Sequence, residues 1–350
     1  MSNRILMKGN EAVGEAAIIA GCRYYFAYPI TPQNEIPAYM SKRLPEVGGT
    51  FLQAESELAA INMVFGASAA GARAMTSSSS PGISLKQEGI SYLAGAQLPC
   101  VIVDMMRGGP GLGNIAGSQA DYFQATRGGG NGDYRTIVIA PASVQELADM
   151  TVKAFDLADE YRIPVIILGD GYLGQMSEPF TLPEPTGKKF DKPWALTGAK
   201  GREHNVVASL RLTPENILEE LNLELKRTYD KITEKEVMYE SYLLDDAEYV
   251  LVAYGTSARI VRSAVNSLRK EGIKAGLFRP ITLWPYPYKE LKAESEKAKK
   301  ILTVEMSLGQ MLEDVKLAIE DSSRVDFYGR TGGMLPEAEE IIRRVKSYGV

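Results

Sequence analysis

Up to about residue 172 the chain alternates short apolar runs with longer segments whose apolar residues recur at helical spacing, the rhythm of strands joined by crossover helices. The pattern predicts strands at Tyr24–Tyr28, Thr50–Gln53, Arg73–Thr76, Val101–Met106, Thr136–Ile139 and Pro164–Leu168. It predicts helices near Glu11–Ala20, Pro32–Ser41, Glu57–Gly71, Ile83–Ala96 and Val144–Asp159. The expected fold is α/β, a doubly wound parallel sheet. Turn residues follow three of the strands, in Tyr28–Pro29–Ile30–Thr31–Pro32, in Ser77–Ser80 with Pro81 and Gly82, and in Arg107–Gly108–Gly109–Pro110–Gly111. In an open sheet these loops gather at one edge, where a ligand sits.

From Glu178 the rhythm breaks into prolines and scattered charge, followed by a highly charged helix from Thr213 to about Glu236. Alternation resumes with strands at Tyr249–Tyr254, Lys274–Phe278, Ile301–Val304 and Val325–Tyr328. Helices are expected at Ser257–Lys270, Pro287–Lys297, Leu308–Ile319 and Pro336–Ser347. The reading is a first domain over 1–177, a connector with a charged helix over 178–247, and a smaller α/β domain over 248–350.

A chain of 350 residues, 45% hydrophobic and 24% charged, is long enough for two domains with real cores. Its 39 basic and 44 acidic residues give a net charge of −5, so neither nucleic acid nor an anionic membrane is an expected partner. No signal-like core opens the chain and no run reaches the ~18 apolar residues of a spanning helix. Only Cys22 and Cys100 are present, without C-x-x-C spacing. Disulfide frameworks, zinc ribbons and iron–sulfur ligation are therefore not expected in this chain, and a reducing cytoplasm is. His204 is the only histidine, which leaves proton chemistry to carboxylates or a cofactor.

Two acids, Glu55 and Glu57, open a helix that is small and apolar to Gly71. On a helix they stand about 200° apart, so at most one faces the sheet edge easily. Both can be ordinary first-turn acids favoured by the helix dipole. Alternatively, one enters a pocket of Leu58, Ala59, Ala60 and Val64, where desolvation lets it share a proton with a ring nitrogen. The serine run precedes another helix, whose backbone N–H groups can receive an anion; a plain N-cap is the other reading. Gly255-Thr256-Ser257 lacks both a G-x-G-x-x-G and a P-loop lysine, so it points only weakly to phosphate. A stand-alone nicotinamide enzyme is disfavoured, because no glycine fingerprint follows the first strand.

Tyr-Pro-Ile-Thr-Pro at 28–32, Glu-Ser-Glu-Leu-Ala-Ala-Ile-Asn-Met at 55–63, Gly-Ala-Arg-Ala-Met-Thr at 71–76 and Arg-Pro-Ile-Thr-Leu-Trp-Pro at 279–285 together resemble the pyrimidine-binding (alpha-type) subunit of the 2-oxoacid:ferredoxin oxidoreductases, over nearly the whole chain. Arg-Gly-Gly-Pro-Gly-Leu-Gly at 107–113, Ser-Gln-Ala-Asp-Tyr-Phe-Gln at 118–124 and Gly-Gly-Gly-Asn-Gly-Asp-Tyr-Arg at 128–135 are most similar to the 2-ketoisovalerate branch.

The resemblance implies a pyrimidine-type thiamine-diphosphate domain followed by a transketolase C-terminal-like domain. It implies oxidative decarboxylation of a branched 2-oxoacid with coenzyme A, giving acyl-CoA, CO2 and reduced ferredoxin. Thiamine chemistry needs a carboxylate on the pyrimidine N1′, and family members carry a glycine nine residues after it, as Gly66 follows Glu57 but not Glu55. Glu57 is thus the expected catalytic and cofactor-binding acid, with Ser78 and Ser79 as further cofactor contacts. Thr31 matches a substrate-binding position and Arg107 an arginine that recognises substrate or coenzyme A; their plainer readings are a helix N-cap and a solvated loop charge. Gly169–Asp170–Gly171 looks like the family's magnesium–diphosphate motif, but no Asn lies between Gly171 and Asn205, so Asp170 reads as turn chemistry. Mg2+ and the diphosphate would then be held by a pyrophosphate-binding beta-type subunit, and iron–sulfur clusters by a ferredoxin-like subunit. Asn131 stands where a histidine is usual, which leaves hydrogen bonding there but no titration. A 2-oxoglutarate-specific member and a non-catalytic scaffold subunit are the competing readings. Beside an open, half-formed cleft near Thr31 and Glu57, a flat apolar face should await the partner.

Overall fold

Two seven-residue strands without a single exposed position form the middle of the first sheet: β5 (Cys100–Met106) and β7 (Pro164–Asp170). In a computed structural model that describes residues 4–349, the earlier strands are β1 (Ile5–Lys8), β2 (Tyr24–Ala27), β3 (Thr50–Gln53) and β4 (Ala74–Ser78). In chain order β6 (Ile137–Ile139) falls between β5 and β7, and β8 (Ser177–Phe180) follows them. Strands buried on both faces read as unbroken apolar runs, which is why helices must cover each side. The seven-stranded sheet runs β12-β6-β7-β5-β4-β2-β3, parallel except for β12 (Thr282–Trp284). Chain order reverses between β2 and β4, which places a crevice beside their carboxyl ends.

The second sheet runs β14-β13-β10-β11-β9, with β9 (Tyr239–Tyr242) antiparallel to β11 (Ala275–Pro280) and the rest parallel. Its other members are β10 (Tyr249–Val252), β13 (Lys300–Glu305) and β14 (Val325–Gly329). One hydrophobic core spans both sheets, joining Ile61 and Tyr122 to Tyr254, Phe278 and Met311. The loop before Tyr122 is pinned to the second sheet: Gln119 donates from its backbone to Met306 O (2.9 Å) and from Nε2 to Tyr254 O (2.8 Å).

The structure departs from the sequence reading in instructive places. Strand β4 runs on through Ser77 and Ser78, because their hydroxyls fit a buried polar crevice. The helix expected from Pro32 begins at Glu35 behind Asn34, and the helix of the connector begins at Ile217. The stretch 178–247 is more than a linker: β8 pairs with β1, the helix Ile217–Lys235 buries Leu221, Leu225, Tyr229 and Ile232 on the first domain, and β9 edges the second sheet. No helix among the described residues is long and apolar enough to cross a membrane.

Candidate active site at the carboxyl edge of the first sheet

Ser56 caps the helix Glu57–Ala69 by accepting from Ala59 N at 3.1 Å, which sets Glu57 as its first residue. The two candidate acids part company here: Glu55 is exposed, whereas Glu57 is 6% exposed. No hydrogen bond from a described residue reaches the Glu57 carboxylate. It lies instead over Gly82, where an added Cβ would stand 2.6 Å from Glu57 Oε1 and 2.1 Å from Ser78 Oγ. Ser78 Oγ and Ser79 Oγ are buried without partners. A free carboxylate, orphaned hydroxyls and a glycine cradle together suit a heteroaromatic ring with donor and acceptor nitrogens. The pocket expected around this acid differs in one respect: Leu58 is exposed, while Ala60 and Val64 belong to the core.

Lys86, one turn along the helix Pro81–Gly95, is wholly buried beside Glu57 and donates only to its backbone oxygen, at 3.3 Å. Burial brings its amine down to about 7, against an opposing upward pull from Glu57. The sequence reading passed over it, since a lysine between Leu85 and Gln87 looks like a solvated helix position.

Arg107 and Thr31 meet across the crevice. Arg107 is 7% exposed and donates to Thr31 O and Leu112 O, both at 2.9 Å, so it is no solvated loop charge. Thr31 is no N-cap either; its hydroxyl accepts from Asn34 Nδ2 at 3.1 Å. Arg107 also exchanges backbone hydrogen bonds with the Ser80 hydroxyl. Ser80 sits at a φ of 25°, a strained value for a residue with a side chain, held by Asp121 through its hydroxyl and by Asp104 through its N–H. A cavity of about 680 Å3 opens beside this cluster, lined by Ser80, Arg107 and Asp121 on one side and Met306, Leu308 and Gln310 on the other. Thr31 and Glu57 do not line it, so the open side of the crevice belongs to Arg107 rather than to the expected Thr31–Glu57 cleft.

Asp170 caps the helix Gly171–Gln175, accepting from Tyr172 N at 3.0 Å and Leu173 N at 3.1 Å. Its carboxylate is thereby committed to backbone donors. The Asn131 side chain is exposed, and the hydrogen bond it receives, from Ser91, ends on its backbone oxygen.

A parallel sheet with a buried acid, orphaned hydroxyls and an arginine at its carboxyl edge fits a thiamine-diphosphate-type domain. Family models agree: residues 15–242 match the thiamine-diphosphate-binding model of pyruvate flavodoxin/ferredoxin oxidoreductases, and 247–341 match core domain II of pyruvate:ferredoxin oxidoreductase. The chain belongs to the 2-oxoacid:ferredoxin oxidoreductase family, whose members are enzymes built from several subunits or domains. It is 53% identical to the ketoisovalerate oxidoreductase subunit VorB of Methanothermobacter marburgensis, with 97% of each covered. It is 37% identical to that organism's 2-oxoglutarate synthase subunit KorA, with 99% of each covered. Among solved structures, the 2-oxoglutarate:ferredoxin oxidoreductase from Magnetococcus marinus superposes with a TM-score of 0.88 at 30% identity; the match covers 99% of this chain and 65% of that one. A split-gene transketolase shares the fold, with a TM-score of 0.60 at 16% identity.

Proposed function

We propose that this chain supplies the pyrimidine-binding half of a shared thiamine-diphosphate site, in a complex that oxidatively decarboxylates 3-methyl-2-oxobutanoate with coenzyme A to the acyl-CoA, CO2 and reduced ferredoxin. The observation that carries it is Glu57, buried, free of hydrogen bonds and set against Ser78 and the Gly82 cradle. When bound, thiamine diphosphate supplies the carbanion that attacks 2-oxoacids. Glu57 holds a proton at the pyrimidine N1′, Ser78 and Ser79 offer hydroxyls to the same ring, and Thr31 and Arg107 orient the substrate carboxylate and carbonyl. With Asp170 engaged in a cap, Mg2+ and the diphosphate fall to a beta-type subunit. Cys22 and Cys100 are both buried and single, so iron–sulfur clusters fall to a ferredoxin-like subunit. Free cysteines also suit a reducing cytoplasm. Exposed Leu58 beside Glu57, with Leu85 and Tyr92 on the neighbouring helix, offers the beta-type subunit an apolar face.

The cavity favours the branched substrate over 2-oxoglutarate. Among the described residues Arg107 is its only basic lining residue, enough for one carboxylate, and Pro110, Met306 and Leu308 supply apolar wall. In the assembled complex, Glu57→Gln should lower acyl-CoA formation by about 100-fold or more. Near-normal turnover would overturn the assignment. A panel of 2-oxoacids should give the highest kcat/KM with 3-methyl-2-oxobutanoate, and a tenfold preference for 2-oxoglutarate would overturn the substrate.

A further inference from the structure

Asp104 and Asp121 bring two buried carboxyl groups face to face, within hydrogen-bonding reach of each other. Asp104 closes on the pair from inside β5, and Asp121 from the loop pinned to the second domain. Asp104 Oδ1 accepts from Ser80 N at 3.3 Å, and Asp121 Oδ2 accepts from the Ser80 hydroxyl. Asp104 Oδ2 has no donor at all. That atom is satisfied when one proton lies between the two acids, since two ionised carboxylates only accept. The neighbouring guanidinium is equally incomplete. No carboxylate of the described residues lies within ion-pair distance of Arg107, its two hydrogen bonds go to backbone oxygens, and its buried Nε has no partner. Asp121 and Arg107 both line the cavity, so a ligand there meets both.

We propose that Asp104 and Asp121 work as one proton-sharing acid that takes up a proton from solvent when a substrate carboxylate settles on Arg107. The proposal rests on the assignment of Arg107 to the substrate carboxylate. Before binding, the Arg107 charge favours ionisation of Asp121; an incoming carboxylate neutralises that charge and removes its pull. Burial already pushes both acids up, Asp104 furthest. The other titratable groups nearby are Tyr254, at the start of the helix Gly255–Lys270, which feels both acids, and Asp170 of β7 and Glu305 of β13, which act on that tyrosine. The step moves one proton from buffer to the pair and makes or breaks no bond to carbon. Its effect is to offset part of the negative charge that a monoanion brings into the pocket, which lowers the cost of burying another carboxylate beside the pair.

The test is titration calorimetry of the assembled, thiamine-diphosphate-loaded complex with isovalerate, a branched carboxylate that lacks the reactive 2-oxo group. Matched titrations would use phosphate and imidazole, buffers of very different ionisation enthalpy, between about pH 6.2 and 7.5. The expected result is a buffer-dependent heat that reports uptake of a fraction of a proton per site, and binding that tightens as pH falls. In Asp121→Asn the buffer dependence should vanish while isovalerate still binds; Asp104→Asn serves as the second variant should the first fail to assemble. Buffer-independent binding in the wild-type complex overturns the inference and leaves the substrate site standing. Undiminished uptake in an assembled Asp121→Asn or Asp104→Asn complex overturns it equally. Absence of any binding heat from a complex active on 3-methyl-2-oxobutanoate overturns the assignment of Arg107 and the inference together.

Discussion

At the scale of single residues, Lys86 is the most expensive side chain near the site, because it loses its water and gains one hydrogen bond in return. Its amine titrates near 7 in the fold against an ordinary value of 10.5, so between those pH values the unfolded chain holds more protons than the folded one. Stability therefore gains with rising pH across that window. Lys86→Met should be more stable than the wild-type chain at pH 7 by a few kcal/mol, and the difference should shrink toward pH 10. Denaturant titrations of both proteins over that range measure it; a pH-independent difference would show that the amine stays charged when buried. Glu57 was legible in the sequence because an acid opening an apolar helix is conspicuous. Asp104 carried a signal of the same kind that went unused: an acid inside Val-Ile-Val-Asp-Met-Met, where a strand buried on both faces has no solvent for it. Asp121 and Lys86 carried no such signal, since neither lies in an unbroken apolar run and only the fold encloses them.

Among elements, the helix Pro81–Gly95 does the most to shape the site, because its first turn carries Gly82 against the Glu57 carboxylate. Alanine suits a helical backbone, so Gly82→Ala changes the crevice rather than the helix. Ser78 can rotate away from the new methyl group, but Glu57 must shift. The complex carrying Gly82→Ala should bind thiamine diphosphate at least about tenfold more weakly while its Tm moves by only a few degrees. Unchanged affinity would mean that the ring lies elsewhere. The long parallel strands and their crossover helices were readable because burial on both faces leaves a continuous apolar run. Strands β1, β8, β9 and β12 were not, being three or four residues long and lying at edges or in pairs where polar residues are tolerated. The bend at Ser80 was also hidden, since its positive φ is imposed by Asp104, Asp121 and Arg107, all distant in sequence.

For the whole molecule, the junction between the two sheets is held by Arg279. Its side chain is 6% exposed and pairs with Glu146 of the first domain at 2.7 Å and with Glu240 of β9, also at 2.7 Å. Arg279→Met keeps the volume but leaves two carboxylates facing each other. Both are about a third exposed, so the loss should fall at or below the low end for buried pairs, about 2–3 kcal/mol. Chemical denaturation measures it, and a loss under about 0.5 kcal/mol would show that the domains are held by apolar burial alone.

Beyond this arginine the chain returns to the first sheet, where Thr282–Trp284 hydrogen-bonds along Ile137–Ile139. The first sheet thus borrows its outermost member from a segment that lies more than a hundred residues downstream. Severing the polypeptide between the two family segments, near residue 245, would strip that rim and expose a row of unsatisfied amides and carbonyls inviting fibrous self-association. Both halves are therefore needed to complete the first sheet.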